Sequence, residues 1–256
     1  MDIRKAIEAL YQKEKHLKSL AYRRELGRFS FITSGFSFVL SLGMLLSGGF
    51  GWVDSCLRLY VDNTIVLALV FFGVLVVASD ILTIPFQWYS TFVIEEKYGF
   101  NKTTLKTFVT DKLKGYLLTA VVGGVLMAAL IHLILTIGPS FWIWFSVLAA
   151  VFVLFVNMFY TSLILPLFNK LTPLPAGELK TAIENFSRKV DFPLDSIFVI
   201  DGSKRSKKAN AFFSGIGKKK KIVLYDTLIE NHTTDELVAV LAHEVGHFKK
   251  KHVIWG

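Results

Sequence analysis

The run His243-Glu244-Val245-Gly246-His247, near the carboxy end, is where this chain's chemistry begins. On an α-helix, residues four apart share one face, so His243 and His247 are spaced to hold a single zinc ion through their imidazole nitrogens. Glu244 sits beside the first histidine, spaced to reach the water that the ion activates rather than the ion itself. Zinc lowers the pKa of that water, and a neighbouring carboxylate takes its proton and passes it to the leaving amine. This is the pattern of zincin peptide hydrolysis. A longer zinc motif needs a glycine three residues beyond His247 and a histidine three further on. Lys250 and Val253 stand there instead, so His252 reads as a surface or outer residue and not a ligand. The single cysteine, Cys56, excludes cysteine-rich zinc or iron–sulfur sites and any intramolecular disulfide framework.

Local signals place this motif on a helix. Thr233 is followed three residues later by Glu236, the form of a capping box, and Leu237, Val238, Val240 and Leu241 then supply an apolar face. Upstream, Leu179, Ile183 and Phe186 recur at helical spacing over 177–190. Residues 197–200 are β-branched and aromatic and end in Asp201-Gly202, which predicts a strand and a turn. Residues 210–214 and 222–225 read as two short strands of a hairpin, joined through Gly215-Ile216-Gly217 and the lysine run 218–221. That run reads as a solvated loop beside an anionic membrane surface rather than a nucleic-acid patch.

The rest of the chain explains what carries this region. Of 256 residues, 53% are hydrophobic and only 19% charged, with a mean hydropathy of +0.50. Soluble chains carry about 25% charged residues, so the composition points to an integral membrane protein. Charges vanish in blocks: 29–51, 63–79 continuing through 81–94 past Asp80 and Pro85, and 115–169. The last block is too long for one span and holds Gly138-Pro139-Ser140, so it divides into 116–137 and 141–168. Four spans follow. Lys and Arg number eight before the first span, one in the next loop, five over 97–114, none at Pro139 and fifteen after Phe168. This alternation puts the amino terminus, the 95–115 loop and the carboxy-terminal region in the cytosol. It also accounts for the net charge of +9 without a nucleic-acid partner. No signal peptide and no internal repeat is read. Asp80 and His132 fall inside spans, where lining a wet cavity or bonding a neighbouring helix is their expected structural role.

Several runs resemble the type I CAAX prenyl protease family, integral-membrane zinc metalloproteases that cleave after a prenylated cysteine. They are residues 91–101 (TFVIEEKYGFN), 166–175 (PLFNKLTPLP), 202–206 (GSKRS), Asn210-Ala211, 222–228 (IVLYDTL) and 241–247 (LAHEVGH). They stand in the family's order and span most of the chain from about residue 85 onward. The resemblance implies zinc ligands at His243 and His247 and a general base at Glu244. It also implies that Asn210 and Ala211 belong to an edge strand that pairs with the substrate backbone, with Asn210 otherwise read as a hairpin turn residue. A third ligand, a Glu, is implied on a helix beyond residue 256. The sequence departs from the family's pattern where Lys207, Lys208 and Ala209 replace an expected histidine, and where Phe248 stands for a common Trp. Members carry further spans on both sides, so the chain is expected to be incomplete at both ends or a shortened relative.

The expected architecture is mainly α: a multi-span α-helical membrane protein with a small cytosolic zincin-like α+β metalloprotease region. Residues 1–28 form an amphipathic cytosolic segment, 29–168 the four-span domain and 169–256 the zinc region. The function expected is zinc endopeptidase action removing the aaX tripeptide from prenylated CAAX termini, with Zn2+ as cofactor, and prenylated or other peptides and the lipid bilayer as partners. The membrane is the plasma membrane in a bacterium and the endoplasmic reticulum in a eukaryote. A heat-shock type quality-control endopeptidase and a non-catalytic scaffold or channel remain as alternatives. Residues 1–256 alone are expected to be inactive for want of the third ligand.

Overall fold

The computed structural model describes the backbone of residues 3–215 and 220–249, and side chains over 16–215, 220–243 and 245–246. The chain divides into two compact units, Met1–Asn101 with Tyr116–Phe141, and Lys102–Gly115 with Trp142–Gly256.

In the first unit, α1 (Ile3–Leu46) runs without interruption through the charged amino-terminal residues into the apolar stretch. No proline falls within residues 3–46 and helix formation does not depend on charge, so the loss of charge near residue 29 does not end the helix. What ends it is Gly48, whose φ of 71° lies in the left-handed region that a side chain disfavours. The expected span 29–51 is therefore not one helix, because α2 (Gly49–Leu57) starts anew after this turn. Next comes α3 (Thr64–Tyr89), capped by Asn63, whose Oδ1 accepts from Ile65 N at 3.0 Å and Val66 N at 3.1 Å. Pro85 lies inside α3, and the helix widens into a π-helical turn at Ser90–Glu95. Phe29 and Phe36 of α1 stack against Phe86 and Tyr89 of α3 with centroids 4.9–6.2 Å apart.

The remaining apolar chain forms α4 (Leu105–Leu118), a π-helical turn at Thr119–Gly123, α5 (Gly124–Ile137), α6 (Phe141–Phe159), a second π turn at Tyr160–Ile164 and α7 (Leu165–Phe168). Leu105–Phe168 is a stretch of 64 residues that holds an 18-residue window of mean hydropathy 2.4. A straight helix of that length would measure about 96 Å, roughly three hydrocarbon thicknesses. Gly138, at φ 63°, and Pro139 break it between α5 and α6, as the sequence predicts. Among the described residues, His16–Leu46 and Thr64–Glu95 are the other stretches long and apolar enough to cross a membrane. Large apolar side chains point outward along these helices, Phe31 at 81% exposure and Trp142 at 60%, which suits lipid rather than water. Asp80 accepts from Gln87 Nε2 at 3.0 Å and from the hydroxyl of Tyr116 on α4. It bonds a neighbouring helix, in keeping with its expected structural role. The backbone carbonyl of His132 accepts from Thr136 Oγ1 at 2.7 Å.

The second unit contains a four-stranded sheet of order β1-β2-β4-β3. Its strands are β1 (Leu171–Pro173), β2 (Leu194–Ile200), β3 (Ala211–Ser214) and β4 (Lys220–Tyr225). The hairpin pairing of β3 with β4 is present and antiparallel, whereas β2 pairs with β4 in parallel and β1 with β2 antiparallel. Residues alternate between two cores along β2 and β4. Ile197, Ile222 and Leu224 join Ile183 of α8 (Glu178–Lys189), Leu228 of α9 (Asp226–Asn231), and Leu237 and Leu241 of α10 (Thr234–Lys249) on one face. Ile200 and Val223 pack against Leu165 of α7 on the other. A central strand buried on both faces must be continuously apolar, which is why Ile222, Val223 and Leu224 are each at most 1% exposed.

Candidate functional site

The motif helix α10 is built as its sequence demands. Thr233 N donates to Glu236 Oε2 at 2.8 Å and Thr233 Oγ1 accepts from Glu236 N at 3.4 Å, closing the predicted capping box. The Thr233 N–H first, and then the Thr233 hydroxyl donating to Glu236 Oε2 at 3.1 Å, hold the Glu236 carboxyl below its ordinary range. Leu237, Leu241 and Val245, spaced by four, anchor one face at 2–3% exposure. His243, two residues past Leu241, lies on the exposed side. His247 follows one helical turn later along the same backbone.

The side chains of Glu244 and His247, all of His252 and the lysines 218 and 219 lie outside the described residues. Two imidazole donors one turn apart are a donor set that suits zinc, so the residues present fit the ion the motif implies. Among the described residues no cluster of three or more His, Cys, Asp or Glu side chains comes together. Glu95 accepts from the Tyr22 hydroxyl at 3.2 Å and Glu96 from Asn101 Nδ2 at 3.0 Å.

Asn210 and Ala211 are placed at a sheet edge, with one correction. The strand begins at Ala211, not Asn210. Asn210 precedes it, its carbonyl accepting from Tyr225 N at 3.0 Å and its Oδ1 from Ala211 N at 2.9 Å. A side chain that bonds its own neighbour's N–H favours a turn over a ladder, which explains the late start. β3 pairs only with β4, so its outer side is open among the described residues. Ala211 and Phe213 pack against the same core that holds Leu237 and Leu241 of α10. Edge strand and motif helix thus rest on one scaffold.

The motif runs are also bonded to one another. Gly202 lies so close under Tyr225 that a Cβ there would sit 2.9 Å from Cε1 and 3.2 Å from Cγ, so only glycine fits. Ser203 donates through N at 2.9 Å and through its hydroxyl to Asp226. Thr227 Oγ1 donates to the Lys208 carbonyl at 3.0 Å. Asp201 Oδ1 accepts from Lys170 N at 2.7 Å and Asn169 Nδ2 at 3.2 Å. Burial pushes the Tyr225 hydroxyl up and the Lys220 ammonium down. Lys220 and Lys221 are strand residues, not loop: their ammonium groups donate to the Gly215 carbonyl at 3.0 Å and Ser162 Oγ at 2.9 Å. Their aliphatic stems let them cross a packed surface and still satisfy the charge, which the reading of a solvated loop did not anticipate. Tyr225, Asp226 and Asp111 are the supporting residues that sequence reasoning passed over. The first two stand inside a run that carries the resemblance, which was a usable signal.

A family model described as CAAX prenyl protease N-terminal, five membrane helices, matches residues 2–170, and one described as peptidase family M48 matches residues 173–255. This chain belongs to peptidase family M48. Within the family, it is 42% identical to CAAX prenyl protease 1 of Saccharomyces cerevisiae over 77% of this chain and 44% of that protein. It is 38% identical to the CAAX prenyl protease 1 homolog of Arabidopsis thaliana over 98% of this chain and 61% of that one. The crystal structure of S. mikatae Ste24p superposes with a TM-score of 0.86 at 37% identity, covering 91% of this chain and 56% of that chain. The chain therefore spans about half the length of the family members it matches.

Proposed function

We propose that this chain carries the substrate edge strand and two metal ligands of a membrane zinc endopeptidase that removes the aaX tripeptide from prenylated CAAX carboxy termini. The observation that supports it most is the shared scaffold: β3 opens at Ala211 on the core that seats α10. An extended peptide added to that edge gains main-chain hydrogen bonds and is held in one register. His243 and His247 would hold the ion, with a third protein ligand, a Glu, outside residues 1–256. Zinc, when bound, supplies Lewis acidity at the scissile carbonyl and a water of lowered pKa. Glu244 takes the proton from the attacking water and delivers it to the leaving amine nitrogen. Asn210 and Ala211 orient the peptide. The multi-pass chain presents this region to the cytosol, in line with the alternation of basic loops.

Glu244→Gln in the full-length protein tests the chemistry. Zinc content stays at the wild-type level, while turnover of a prenylated peptide falls by about a hundredfold or more, because a general base is lost and the ligands remain. Activity within about tenfold of wild type removes Glu244 from the mechanism. Equal cleavage of the same peptide without its prenyl group refutes the substrate class.

A further inference from the structure

We propose that Arg205 is a positioning residue for the edge strand β3, tying the turn that leads into it to α4 and α7. The proposal rests on the reading of β3 as the substrate strand. Arg205 Nε donates to Asp111 Oδ2 at 2.7 Å and its Nη2 to Asp111 Oδ1 at 2.9 Å, a bidentate pair between residues 94 apart. The same Nη2 donates to the carbonyl of Phe168, at the end of α7, at 2.6 Å. Its backbone is gripped too: the Arg205 carbonyl accepts from Lys102 N at 2.9 Å and Thr103 Oγ1 at 3.1 Å. One residue thus joins the segment entering α4, Asp111 within α4, and the last apolar turn before the sheet.

The consequence runs along the chain toward the strand. Gly202 is pinned under Tyr225 and Ser203 on Asp226, while Lys208 N donates to Ser206 Oγ at 3.2 Å and its carbonyl accepts from Thr227. Asn210 and Ala211 follow two and three residues later. The side chains of Arg205 and Asp111 are only 24% and 26% exposed, so the pair is shielded from much of the screening that weakens surface ion pairs. A lysine cannot replace it, since an ammonium lacks the planar fork that serves two carboxylate oxygens and a carbonyl together. Freed from α4, the turn and the start of β3 shift with respect to β4. Orientation of a bound peptide is sensitive to such shifts, a misplacement of about 1 Å costing about a hundredfold in rate.

The experiment compares wild type, Arg205→Ala, Arg205→Lys and Asp111→Asn in the full-length protein. Hydrogen exchange is followed at residues 211–214 and 194–200, and kcat and KM on a prenylated peptide are expressed per bound zinc. Exchange in β3 is expected to quicken by about tenfold or more while β2 stays at its wild-type rate. kcat per bound zinc falls by about a hundredfold with KM within about threefold, and Arg205→Lys falls in between. Exchange that quickens equally in both strands, or in neither, overturns the proposal, as does an unchanged kcat per bound zinc. If Arg205→Ala does not fold, Asp111→Asn and Arg205→Lys decide by the same two readouts. A wild type that does not cleave the peptide refutes the proposed function, and the exchange pattern still judges Arg205.

Discussion

Gly202→Ala perturbs a single carbon and tests how the motif runs hold together. The added Cβ would lie 2.9 Å from Tyr225 Cε1, 3.2 Å from Cγ and closer still to Cδ1. Carbon atoms prefer about 3.5–4.0 Å, so the ring must retreat by at least roughly 0.6 Å at Cε1 and further at Cδ1. Tyr225 cannot move alone. Its N–H is bonded to the Asn210 carbonyl, its Cα faces Ile200 across the parallel ladder, and its ring edge meets Phe212 at 6.5 Å. Overpacking of this kind costs about 1–3 kcal/mol. At roughly 2–4 °C per kcal/mol for a domain of this size, the melting temperature of the protein in detergent falls by about 2–12 °C. The control is Tyr225→Ala: in that background the glycine substitution becomes nearly neutral, a coupling that a double-mutant cycle reads directly. A melting temperature unchanged to within about 1 °C, or the same loss in the Tyr225→Ala background, refutes the steric argument.

Asn210→Ala removes a side-chain bond only to the next residue's N–H and spares the carbonyl that receives Tyr225 N. Stability is expected to stay within about 0.5 kcal/mol of wild type while peptide turnover drops. A large loss of stability by thermal melting would mean that Asn210 serves the turn rather than the substrate. Glu236 has its folded-state pKa lowered by Thr233, so its contribution is present above its unfolded pKa of about 4.3 and is lost as pH falls through the lower folded value. The stability gap between wild type and Glu236→Gln should therefore close on acidification, and a gap constant from neutral pH to below that value contradicts the assignment. Tyr116→Phe deletes a hydroxyl that donates to Asp80 within the apolar helices. The expected cost is about 0.6–2 kcal/mol, checked by detergent unfolding, and no measurable change would mean that Asp80 is satisfied without Tyr116.

What the sequence made legible follows from locality. The Thr233–Glu236 cap, the α8 stripe of Leu179, Ile183 and Phe186, and the break at Gly138 each depend on residues within one or two turns. The His243–His247 spacing does as well. What it hid depends on distance or on the indifference of a helix to polarity. α1 continues through residue 28 because helix formation responds to backbone propensity and caps, while the eye responds to charge. β1 is three residues long and contains a proline, and only its pairing with Phe198, Val199 and Ile200 makes it a strand. The parallel match of β2 with β4 and the bond from Arg205 to Asp111 join residues far apart in sequence, and neither leaves a periodic trace. The sequence reading starts this strand at Asn210, but the Asn210 side-chain oxygen accepts locally from Ala211 N and the strand begins one residue later.

Pro173 sets the two rims of the sheet apart. Leu174 turns its N–H inward, to the Ile197 carbonyl at 2.9 Å. Alternation then faces the preceding position outward, where a newcomer strand would look for a donor. Proline has none to give, and its ring obstructs approach. Growth of the sheet is thus hindered at the β1 rim, while among the described residues the β3 rim is unpaired. The same asymmetry keeps two copies of the protein from zipping together through β1, and the rim left open is the one that shares its foundation with the histidine helix.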